Sequence, residues 1–141
     1  MIAAVRALAL AAVLAAAAAT YTVAQVERSF KGQTGVPLVK VASASTHDVT
    51  TLTTRPRRTA RFGQFELYVL RPATAARTLR AILGGAKRNA QGIYWTRDQQ
   101  GGWVATTVFG KNLVCGWFPP HGVKRVNAQW SRLQIVLRRI R

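Results

Sequence analysis

At 141 residues, with no internal repeat, the chain has room for one domain once a targeting segment is set aside, which excludes a two-domain organisation. Its 21 Lys and Arg against 4 Asp and Glu give a formal net charge of +17, a self-repulsion that salt, anionic lipid, nucleic acid or an acidic protein would relieve. The single cysteine, Cys115, excludes an intramolecular disulfide, so stability has to come from packing or from partners.

Residues 1–24 read as a signal peptide or membrane anchor. From Ala7 to Ala19 every residue is Ala, Leu or Val, preceded by the amino terminus and Arg6. That is the basic and then apolar layout of an export signal. Small residues at Ala17 and Ala19, or at Thr22 and Ala24, place cleavage near Ala19 or Ala24 and give a periplasmic or secreted address. The alternative is an uncleaved inner-membrane anchor, because Ala7 to Val26 is an uncharged stretch of about 20 residues, about the length of a span. Its low Leu content and the interruption at Thr20, Tyr21 and Thr22 favour the cleaved form.

Residues 25–62 form a polar and basic Ser/Thr/Arg-rich segment with candidate edge strands. Gln25 to Gly35 is polar and ends in a Gly-rich turn. Val36 to Ala42 reads as a weak strand that Pro37 confines to an edge or a strand start. Asp48 to Thr54 has the Thr and Val content of a β-segment, but Pro56 and the arginines that follow it favour a solvated loop over Ser43 to Phe62.

Residues 63–141 carry the compact domain. In Gln64 to Arg71, Phe65, Leu67 and Val69 alternate with polar positions, the period of a half-buried strand. Pro72 opens a helix with Ala75, Ala76, Leu79, Ile82 and Leu83 on one face, Arg77 and Arg80 on the other, and a stop at Gly84-Gly85. Ile93 to Thr96, Trp103 to Phe109 and Leu113 to Phe118 read as a meander of hairpins, ended by Pro119 and Pro120. Residues 128–141 fit two periods: Leu133, Ile135 and Leu137 alternate as in a strand, whereas Trp130, Leu133, Leu137 and Ile140 share a helix face. The strand is preferred. The expected class is α+β, a small antiparallel sheet of about four to six strands with one packed helix, preceded by the N-terminal hydrophobic signal or anchor helix.

Catalytic chemistry has little to work with. No GxSxG, HExxH, GxxxxGK[ST] or GxGxxG pattern is present. Cys115 with His121 is the one conceivable nucleophile and base, and its apolar neighbours Leu113, Val114 and Trp117 mark Cys115 as a buried hydrophobe instead. His47, Asp48, Cys115 and His121 have no metal-ligand spacing, so neither metal nor cofactor is implied. Gly84-Gly85 ahead of Lys87 and Arg88 could cradle an anion, but glycine after a helix is ordinarily a cap.

The charge points to binding. Arg55, Arg57, Arg58 and Arg61 lie in a stretch without hydrophobic periodicity, so they should project into solvent and bind anions, with Arg138, Arg139 and Arg141 as a second contributor. Aromatic residues interleaved with cations suit either a core or a stacking platform. Tyr94 and Trp95, adjacent in one strand, must point to opposite faces, which makes one of them a candidate contact. The expected function is a non-enzymatic, exported or membrane-associated basic domain. Its partner would be an anionic envelope lipid, a cell-wall polymer or an acidic protein subunit. The alternative is a nucleic-acid-binding subunit of a larger assembly, and an enzyme using Cys115 and His121 ranks third.

Overall fold

The computed structural model describes residues 19–56, 59–119 and 126–141. Of the N-terminal signal or anchor expected over residues 1–24, residues 1–18 lie outside the described residues. Among the described residues, no helix is long and apolar enough to cross a membrane.

The chain forms helix α1 (Val23–Thr34), strand β1 (Val39–Lys40), a 3-10 turn (Ala42–Ala44), β2 (Val49–Thr53), the single-turn helix α2 (Thr59–Phe62) and β3 (Gln64–Leu70). Then come α3 (Ala75–Ile82), β4 (Lys87–Arg88), β5 (Tyr94–Arg97), β6 (Trp103–Phe109), β7 (Leu113–Phe118) and α4 (Val126–Arg138). The class is α+β: one antiparallel seven-stranded sheet in the order β1-β2-β3-β7-β6-β5-β4, with helices on both faces. Two meanders, β1 to β3 and β4 to β7, meet at the β3–β7 pair, where Phe65 lies opposite Trp117 and Leu67 opposite Cys115.

Side-chain alternation divides the sheet into two layers. Leu52, Phe65, Leu67, Val69, Ala105, Phe109, Leu113, Cys115 and Trp117 face the larger core, which α1, α2 and α4 close with Val26, Phe30, Phe62, Trp130, Leu133 and Leu137. Leu70 and Val114 face the other way and meet Ala75, Leu79 and Ile82 of α3, three of the five residues of the stripe read from the sequence; Ala76 of that stripe is exposed. Trp117 joins the helices to the sheet. Its ring stacks on Trp130 with centroids 5.2 Å apart, and its indole N–H donates to the Phe62 carbonyl at 3.1 Å. Gly63 must be glycine here, because its φ is +74° and a Cβ would stand 2.5 Å from the Trp117 ring nitrogen.

Several expectations are corrected. Among the described residues the sheet has seven strands rather than four to six, because the Thr-rich stretch, compatible with a β-segment but read by preference as loop, supplies β2, and the two-residue strands β1 and β4 close the edges. Of the strand expected over Val36 to Ala42, only Val39–Lys40 pairs. Among the described residues, three helices of two turns or more are present instead of one. Gln25 to Gly35 belongs to α1, whose capping box joins Thr22 and Gln25 and whose end is set by Gly35 at φ +69°. The preferred strand over residues 128–141 is the helix α4. Its burial follows the helical period: Trp130, Leu133, Leu137 and Ile140 are buried, while Ile135, which strand alternation would have buried, is 49% exposed.

Candidate functional site

Every described Lys and Arg is exposed, and three of the four carboxylates that could have neutralised them are engaged elsewhere. Asp98 accepts from the backbone N–H of Gln100 at 2.9 Å and of Gly102 at 2.6 Å, holding the β5–β6 turn. Glu66 accepts from the Tyr68 hydroxyl at 2.5 Å. Asp48 accepts from Thr74 at 3.1 Å and lies 3.4 Å from the His47 ring. No arginine or lysine among them is paired with a carboxylate, so the cationic field is left to solvent.

One group of these cations lies where the C-terminal ends of α1 and α4 meet α2. The Arg61 guanidinium donates to the Thr34 carbonyl at 3.2 Å and lies over the Phe62 ring. Arg132 donates to the Arg61 carbonyl at 3.1 Å. Gln33 donates to the Val136 carbonyl at 3.1 Å, tying α1 to α4. Gln33 and Val136 then form, with Arg139 and Arg141, an open cleft of about 440 Å³. Arg132, Val136 and Arg139 follow one stripe of α4, so the seam carries cations on both sides of the Gln33 contact. An arginine with one N–H committed to a carbonyl keeps other donors in a rigid fork, which suits a phosphate or carboxylate.

The fold thus joins Arg61 to Arg132 of α4, and Gln33 ties α1 to the turn of α4 next to Arg139 and Arg141. Arg132 was not singled out from the sequence, because its place on the seam depends on residues 128–141 being helical. The stripe Arg132, Val136 and Arg139 at helical spacing was the signal available. Arg138 is exposed beside this stripe and donates to Gln134 at 3.3 Å. Arg55 is exposed just beyond β2, and Arg57 and Arg58 lie outside the described residues.

The two aromatic candidates separate as alternation requires. Trp95 packs against the larger core and lines an open cleft of about 300 Å³ with Trp103 and Pro119. Tyr94 is on the other face, 5.8 Å from the Arg88 guanidinium, where it lines a cleft with Leu79, Arg80, Leu83 and Val108. Trp103, the partner of Trp95, is 49% exposed.

Cys115 is fully buried in the larger core, and burial pushes its thiol pKa far above the ordinary value. Its proposed base, His121, lies outside the described residues. His47 instead stands 3.0 Å from an Arg71 nitrogen. No cluster of three His, Cys, Asp or Glu able to hold a metal exists among the described residues. After Gly84-Gly85 the chain enters β4 at Lys87.

No family model matches this chain, no curated protein is significantly similar to it in sequence, and no solved structure matches its fold.

Proposed function

We propose that this protein is a non-enzymatic, exported or membrane-associated binding domain for an anionic partner, with the α1–α4 seam as its principal contact. One observation carries the reading: Arg61 binds the Thr34 carbonyl next to Gln33, Arg132 binds the Arg61 carbonyl, Arg139 and Arg141 line the cleft beside Gln33, and no carboxylate among the described residues pairs with any of them. Keeping like charges together costs stability, and an anionic ligand offsets that cost. Ile135, three or four residues from Arg132, Arg138 and Arg139, adds an exposed apolar side chain. Apolar and cationic side chains sharing one helix face suit the headgroup region of an anionic membrane. A nucleic-acid partner is the second reading, favoured by the cleft between Trp95 and Trp103.

The test replaces Arg61, Arg132, Arg139 and Arg141 with Gln and titrates binding to anionic vesicles, zwitterionic vesicles and duplex DNA across salt. Each cation near an anionic surface contributes about 1 kcal/mol, and screening over about 8 Å at physiological salt reduces that. The expected result is a loss of at least about tenfold in affinity for anionic vesicles, with a shallower salt dependence and a melting temperature within a few degrees of the parent. Unchanged affinity for both polyanions would sink the assignment.

A further inference from the structure

We infer that the cleft formed by Trp95, Trp103 and Pro119 is a stacking site for an unpaired nucleobase, so that this surface distinguishes single-stranded from duplex nucleic acid. The inference takes its ligand from the second reading above and requires neither export nor the α1–α4 seam.

Sheet geometry builds the cleft. Trp103 lies opposite Arg97 across the β5–β6 pair, and Trp95 lies opposite Ala105. The two indoles therefore occupy diagonal positions on the same face of one hairpin, within reach of each other's large side chains. Pro119, one residue beyond β7, supplies the third wall. The buried Trp117 and Trp130 are stacked on each other, whereas Trp103 is exposed and Trp95 only half-buried. Neither of these two indole N–H groups has a hydrogen-bond partner among the described residues.

Charge complementarity selects the occupant. The Arg97 guanidinium stacks 3.9 Å from the Trp103 ring centroid and is held there by a 2.7 Å hydrogen bond to the Gly101 carbonyl. That leaves further N–H donors for an oxyanion beside the ring. Lys87 lies opposite Trp95 on the other side of β5, so a second cation flanks the cleft. The nearest carboxylate in the β5–β6 turn, Asp98, is occupied by backbone donors. Flat apolar walls between two cations match a planar ring joined to phosphates on either side. A duplex presents the same phosphates but keeps its bases stacked within the helix, out of reach of the cleft.

The experiment uses the full chain with fluorescein-labelled oligothymidylate, a duplex of the same length and anionic vesicles, reading affinity and tryptophan emission. The single strand is expected to quench tryptophan emission. Trp103→Ala should weaken single-strand binding by about tenfold or more while leaving duplex affinity within about twofold, because phosphate contacts carry the duplex. Trp103→Phe, which keeps a stacking face, should retain most of the single-strand affinity. An exposed side chain is replaced in both variants, and equal melting temperatures verify the fold. Equal loss toward single strand and duplex would overturn the inference, as would an unaffected single-strand affinity. Quenching by vesicles but not by oligothymidylate would also overturn it, and would leave the anionic-surface reading standing. Failure to bind any polyanion would end both.

Discussion

At the scale of single residues, the buried polar and titratable groups serve structure. Asn112 is fully buried and makes three hydrogen bonds, accepting from the Tyr21 N–H at 2.8 Å and donating to the carbonyls of Tyr21 at 2.7 Å and Leu70 at 2.9 Å. It ties the entry of the chain to the β6–β7 turn. Cys115 and Tyr68 both hold their protons more tightly than usual. Cys115 does so because it is buried, and Tyr68 because of burial first and then its hydrogen bond to Glu66. Both raised values have the same sign in linkage. Below the unfolded-state pKa both states are protonated and nothing is lost; above it only the unfolded chain releases its proton, so stability falls as pH rises. The expected fall begins near pH 8.5 for Cys115 and steepens near pH 10 for Tyr68, by about 1.4 kcal/mol per pH unit for each group. Denaturant titrations from pH 7 to 10.5 measure it. Cys115→Ala should remove the earlier part of the slope, and a flat profile to pH 10 would contradict the burial argument.

Among the elements, α1 shows most clearly how local chemistry and tertiary contact divide the work. Its beginning is encoded locally by the reciprocal Thr22 and Gln25 bonds, yet Val26 and Phe30 are its only fully buried residues and need Phe62, Phe65 and α4 to bury against. The same start distinguishes the two cleavage positions read from the sequence. A chain beginning at Thr20 keeps the Tyr21–Asn112 bonds and the N-cap, whereas one beginning at Gln25 loses both. The shorter chain should be less stable by at least about 2 kcal/mol, combining a lost cap with an unsatisfied buried amide. Denaturant unfolding of the two truncated chains measures this. Equal stability would show that the N-terminal tether contributes nothing, and N-terminal sequencing of the native protein would show which start is used.

Over the whole molecule, exposed cations without a carboxylate partner among the described residues should make the fold sensitive to ionic strength. The melting temperature is expected to rise by several degrees between about 10 mM and 150 mM sodium chloride, as the Debye length falls from about 30 to about 8 Å. A melting temperature that fell with salt would mean that attractive pairs outweigh the repulsion. The sequence by itself determined the charge, the strands β3, β6 and β7 and the apolar stripe of α3, because each is written in a local period of two or of three to four residues. The Thr-rich β2 could not be separated from loop on composition, since its Thr residues become strand only when β3 is there to pair with them. Residues 128–141 carried both periods at once, and the choice fell to helix because Trp130 finds Trp117 and Leu133 and Leu137 find the sheet, leaving Ile135 outside. The candidate site followed the same division. The sequence marked Arg61 as free of core duty, but only tertiary structure joined its segment to α1 and α4, because the contacts that do so run between segments distant along the chain: Arg61 to Thr34, Arg132 to Arg61 and Gln33 to Val136.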